Sequence, residues 1–204
     1  MKALFIRCYG KLTADMMIGG LIDMGVPPVY LKSKLKDAGL PDNFIEKPNP
    51  KAQISAHYFH IPPQGDKPLL LKQADLFRIW KDICSKGAPE WEETGWKVFS
   101  ALTAGVSHAI DEIPADVVDL RRAGVSEENL ISLYLFLACL DYLEVETLFT
   151  CPFTISKGKT EKGKSSAAIL TDAVSTVGKE VPAEDVDPFA AAMLEGLSAA
   201  FMPM

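Results

Sequence analysis

The chain has few cysteines, few histidines, no basic surplus and no long apolar run, and each shortage removes a class of function. Its four cysteines, Cys8, Cys84, Cys139 and Cys151, are far apart and form no C-x-x-C pair. That spacing argues against a disulfide frame or a structural zinc site and for reduced thiols, hence cytoplasmic residence. A formal net charge of −6 and a pI near 5.1 supply no basic field, which excludes a general nucleic-acid binder. No signal peptide is visible, since only four apolar residues separate Lys2 from Arg7. The longest apolar run, residues 130–140, is too short for a bilayer and reads as a buried helix, so no membrane association is expected. G-x-S-x-G, H-E-x-x-H and G-x-G-x-x-G are absent, and Gly158-Lys159-Thr160 lacks the earlier glycine of a phosphate-binding loop.

What is present, 204 residues, fits one globular domain or one domain with a tail. Residues 3–6 form a short strand, a polar turn follows, and Thr13 with Asp15 opens a helix that ends near Gly25-Val26-Pro27. Pro28 starts a second helix over 29–37, with Gly39 at its left-handed cap. Extended segments near 43–46 and 53–61 pair around a Lys47-Pro48-Asn49-Pro50 turn, and 61–68 is a loop. Three helices follow over 74–85, 90–111 and 127–143, the last apolar nearly all round and therefore central. A strand over 146–155, a lysine-rich loop over 157–164 and a helix over 187–201 complete the pattern. The order predicts an α+β fold: a two-layer sandwich of the ferredoxin-like plait type, with an enlarged second helical crossover and a C-terminal helix. Residues 1–156 form the α+β domain, and 157–204 pack on it as loop and helix.

The chemistry-bearing residues have plain readings beside functional ones. Thr13 and Asp15 serve as cap and dipole partner, and Cys8 packs as a small buried thiol beside Arg7. His57 and His60, three apart on a strand, point to opposite faces, so one metal ion does not take both. His108 stands on a helix face within reach of Asp111 and Glu112. Lys157, Lys159, Lys162 and Lys164 present charge that a phosphate would meet, on what reads as an exposed loop.

The opening also resembles the nickel-insertion proteins of the lactate-racemase cofactor pathway (LarC-type). In that family a strand leads into a D-C-[FS]-S-G-x-[SA]-G-D-M turn and a helix ending L-x-D-x-G-V-P. Here Cys8, Asp15, Met16, Asp23 and Gly25-Val26-Pro27 match, while the leading aspartate is Arg7 and two glycines are Lys11 and Ala14. Gln53-Ile54-Ser55-Ala56, the segment from Leu140 to Glu146 and the helix from Pro188 to Gly196 continue the likeness along the chain. It implies a role in inserting nickel into a pyridinium dithiocarboxylate mononucleotide, a cyclometallase or chelatase activity that consumes CTP.

The departures shift that expectation. The family's H-F-H-E-x-G falls on residues 119–124, where Arg121 and Arg122 stand instead, and its histidine-rich run falls on 62–67. A guanidinium offers only donors, so a cation site becomes an anion site. The expected ligand-binding set is therefore Arg7, Cys8, Asp15, Arg121, Arg122, Lys157 and Lys159, with no metal ligand. The chain alone reads as non-catalytic: a divergent relative without intact metal chemistry, or a domain that binds a phosphorylated small molecule or a protein partner. The family's C-terminal half would come from such a partner.

Overall fold

The structure is a computed structural model and describes residues 1–8, 10–48, 57–63, 71–110, 113–151, 153–170 and 179–201. Strand β1 (Ala3–Ile6) leads through a turn into helix α1 (Ala14–Asp23), whose cap Thr13 accepts the Met16 amide at 3.2 Å. Helix α2 (Pro28–Asp37) begins on its proline and ends before Gly39, which has φ of +68°. Strands β2 (Ile45–Pro48) and β3 (His57–His60) pair antiparallel. Helices α3 (Gln73–Gly87), α4 (Glu92–Ala109) and α5 (Glu128–Tyr142) follow. Then come β4 (Thr147–Thr150), β5 (Phe153–Ile155), α6 (Glu161–Ile169), β6 (Lys179–Val181), α7 (Pro188–Leu197) and β7 (Ser198–Phe201).

Helix α5 is the axis of the core. Residues from Leu130 to Cys139 are buried on every side, as an apolar surround requires. Around it Trp80, Phe99 and Phe189 are fully buried, each adding about 1.5–3 kcal/mol of apolar burial. The two polar handles in this cluster are satisfied: Trp80 Nε1 donates to the Trp91 carbonyl at 3.2 Å, and Tyr134 donates to the Lys34 carbonyl at 3.3 Å.

The α+β class stands, with helices dominating small sheets, but the plait does not. Strands β1, β4 and β7 form a parallel sheet in that order, and the β2–β3 and β5–β6 pairs form separate two-stranded sheets. A plait needs antiparallel neighbours. Here helical crossovers return the chain in parallel, and the strand expected over 146–155 divides between two sheets. The lysine-rich stretch is also corrected. Thr160 caps α6 by accepting the Gly163 amide at 3.1 Å, so Lys162 and Lys164 ride on a helix rather than a loop. The last helix stops at Leu197 because Ser198–Phe201 is recruited to β4, with the Ser198 and Thr150 hydroxyls 2.8 Å apart.

One close approach positions the site. A side chain at Gly19 would put Cβ 2.6 Å from the His57 carbonyl oxygen, so glycine lets the edge of β3 lie directly on α1. Gly19→Ala is expected to push β3 away and to cost about 1–3 kcal/mol, read as a lower midpoint in urea unfolding.

Candidate functional site

Asp15 and Asp23 are eight residues apart on α1, about 12 Å along a helix. His57 and His60 are three apart on β3, about 10 Å along a strand. The lengths match, and the two elements run in opposite directions, so the residues pair twice. Asp23 Oδ1 lies 2.6 Å from His57 Nδ1, and its Oδ2 accepts the His57 amide at 2.9 Å. Asp15 Oδ2 lies 3.0 Å from His60 Nδ1.

The strand period keeps the two imidazoles on opposite sides of β3. Each still reaches α1, because the edge of β3 rather than one of its faces lies along the helix. Sequence reasoning had the direction of these rings and missed their partners. The equal spans of the two pairs were the signal that would have found them.

The two pairs differ. His57 Nε2 also lies 3.1 Å from Glu46 Oε1, so both ring nitrogens face carboxylates and the ring is a clamp between β2, β3 and α1. Among the described residues His60 is held through Nδ1 alone, and its side chain is 42% exposed. Asp15 is more enclosed. Its Oδ1 accepts the Ser132 hydroxyl from α5 at 3.4 Å, and the Ile61 amide also donates to the carboxylate. Burial raises the Asp15 pKa, and the contacts with His60, Ser132 and Ile61 only partly offset it.

These groups border an open cleft of about 640 Å³, within the roughly 300–1,000 Å³ of small-molecule sites. Lys11, the start of α1, Asn129 from the first turn of α5 and Asp187 from the cap of α7 complete its wall. The convergence is built by backbone pairing: the Leu12 amide donates to Asp185 O, and the Asp187 amide donates to Leu12 O, both at 2.9 Å. First-turn or cap residues of three helices thus line one cleft, where Thr13 and Asp187 already accept amides of their own helix starts and one lysine, Lys11, stands among Asp15, Asp23 and Asp187. Among the described residues, no three His, Cys, Asp or Glu side chains converge to hold a metal ion.

Of the residues expected from sequence, Asp15 lies in this cleft. Cys8 and Arg7 border a neighbouring cavity of about 280 Å³ with Leu4, Ile6 and Met17. The Cys8 thiol donates to the Gly10 carbonyl at 3.4 Å, and burial pushes its pKa up, which leaves it a protonated packing group. Arg121 and Arg122 sit in the short helical turn Leu120–Ala123. Arg121 holds Asp119 at 2.7 Å, and Arg122 holds Glu161. Lys157 and Lys159 are exposed before α6, where the Glu184 carboxylate accepts the Lys159 and Thr160 amides. His108 is exposed on α4, and its expected companions Asp111 and Glu112 lie outside the described residues, as does much of 61–68.

This chain belongs to the nickel insertion protein family, whose profile matches residues 4–204. Among curated relatives, a protein of Synechococcus sp. (strain JA-3-3Ab), provisionally named a nickel insertion protein, is 26% identical over 100% of this chain and 53% of its own length. A similarly named protein of Geotalea daltonii is 23% identical over 98% of this chain and 53% of its own. The pyridinium-3,5-bisthiocarboxylic acid mononucleotide nickel insertion protein of Staphylococcus epidermidis is 23% identical over 99% and 52%. The chain therefore spans about half the length of the curated relatives it matches. No solved structure matches it significantly. No helix among the described residues is long and apolar enough to cross a membrane.

Asp15 and Asp119 bear on stability with opposite sign. The raised pKa of Asp15 means its contribution falls as pH rises through the folded value, since ionising it in place is costly. Burial alone would raise Asp119 too, but the Arg121 side chain and the Leu71 and Arg121 amides outweigh it and hold the pKa down. Its contribution is complete above the ordinary carboxylate range and is lost as pH falls through the depressed value. Urea unfolding at neutral pH is expected to show Asp15→Asn as stable as wild type or more so, and Asp119→Asn weaker by about 1.5–3 kcal/mol.

Proposed function

We propose that this chain takes part in inserting nickel into a pyridinium thiocarboxylate mononucleotide, and that its share is to hold the organic acceptor in the cleft between α1 and β3. The observation that carries this reading is the cleft's composition. Lys11 suits a phosphate or a thiocarboxylate, and the Asp15 and Asp23 carboxylates nearby suit a pyridinium ring. Nickel is the substrate of this reaction rather than a resident group.

The resemblance places cation ligands where Arg121 and Arg122 stand. Both guanidinium groups hold carboxylates of the fold and offer no lone pair. In this reading the metal is not gathered there, and the family's metal chemistry has diverged at that point. The relatives carry about as much chain again, and the complete reaction, with the CTP that the resemblance implies, is proposed for this chain together with that complement, fused or separate. A cytoplasmic setting suits four reduced thiols.

Titration calorimetry with the pyridinium-3,5-bisthiocarboxylic acid mononucleotide is expected to show one site per chain, with affinity about tenfold lower in Lys11→Ala. Failure of the folded chain to bind it, or binding indifferent to Lys11→Ala and Asp23→Asn, would remove this reading.

A further inference from the structure

The chain has three histidines, and the structure gives each a different electronic setting. His57 has both ring nitrogens against carboxylates, so it has no lone pair to offer while those contacts hold. His108 lies exposed on α4. His60 alone is tied at one nitrogen to a sheltered carboxylate and stands at the wall of the cleft.

That tie selects the tautomer. An ionised Asp15 accepts only from an Nδ1 that carries the hydrogen, which leaves the Nε2 lone pair unprotonated and without a hydrogen-bond partner among the described residues. Ser132 and the Ile61 amide hold the carboxylate from two further sides, so the ring is oriented by a fixed group rather than by solvent. A single directed lone pair suits a proton, whereas a held divalent cation takes three or four protein donors.

We infer that His60 is the proton acceptor of the cleft and Asp15 its positioning residue, and that His60 takes up the proton an organic acceptor gives up when nickel becomes bonded to it. This rests on the preceding reading for the source of the proton. In the step, the acceptor's bond to hydrogen breaks and its electron pair forms the bond to nickel. The proton goes to His60 Nε2 and makes an imidazolium, which the Asp15 carboxylate stabilises. Nickel enters and remains divalent, so nothing is oxidised or reduced.

Two arms test this, both on the full chain. Long-range proton–nitrogen NMR of uniformly labelled protein is expected to show neutral His60 as the Nδ1–H tautomer. Asp15→Ala, checked by its melting curve to be folded, is expected to return it to the Nε2–H form that free imidazole prefers. Neutral His60 as Nε2–H in the wild type, or a tautomer unmoved by Asp15→Ala, overturns the inference without reference to nickel.

In the second arm, protein supplemented with the portion of the Staphylococcus epidermidis relative that this chain does not cover is mixed with nickel chloride and pyridinium-3,5-bisthiocarboxylic acid mononucleotide, with and without CTP, and metallated product is followed by absorbance and mass. His60→Gln is expected to slow product formation by about a hundredfold or more while leaving affinity for the acceptor, read by calorimetry, unchanged. Product at the wild-type rate in His60→Gln overturns His60 as the acceptor and leaves the preceding reading intact. No product from the wild type overturns that reading and, with it, the source of the proton.

Discussion

The site depends on one contact, the edge of β3 laid against the side of α1. A strand edge carries unpaired amides and carbonyls and ordinarily seeks another strand. Here a helix covers it, which is possible only where the helix offers acceptors and no bulk. Asp23 accepts the His57 amide and Asp15 the Ile61 amide, while Gly19 between them leaves room for the His57 carbonyl. Once the edge is seated, the imidazoles at each end of the strand each meet a carboxylate of the same helix, and His57 meets Glu46 of β2 as well. The two Asp–His pairs are thus consequences of capping an edge with a helix.

The opposite side of α1 explains why the two pairs are not equivalent. Near the start of α1, Asp15 faces α5, the most buried helix, and meets Ser132, one of the few polar side chains in that helix's buried stretch. A carboxylate there loses hydration and must be compensated by its neighbours, which is why its pKa rises. Asp23, at the far end, takes both an imidazole and an amide and serves as an anchor. The same helix therefore carries a strained carboxylate at its start and a satisfied one at its end, and only the first has reason to drive chemistry.

Much of this was legible from residues alone. The apolar surround of 130–140 announced a central helix, Thr13 and Gly39 marked helix ends, and Asp15 stood out at a helix start. The rest was hidden for physical reasons. Ser198 to Phe201 continue a helical apolar pattern, and only the open edge of β4 converts them to a strand. The lysine-rich stretch over 157–164 read as a loop, yet Gly158 and Gly163 let the Glu184 carboxylate and the start of α6 close together, since a side chain at Gly163 would meet Glu184. The pairing of His57 and His60 with α1 is a long-range event that strand parity alone does not contain.

The arginines show how charge is neutralised within a fold. Asp119 accepts the Leu71 and Arg121 amides, each at 3.2 Å, and Leu120 donates to the Leu71 carbonyl at 2.9 Å. This ties the short turn to the segment ahead of α3. Arg121 closes over the same carboxylate, and Arg122 reaches Glu161 at the start of α6. An anion arriving at either guanidinium would displace a carboxylate already in place and would exchange one ion pair for another, a swap worth little where solvent reaches both partners. In the cleft, by contrast, three helix starts and Lys11 line one open space beside His60. The charge of the turn is spent within the fold, and the open space that remains lies beside α1 and β3.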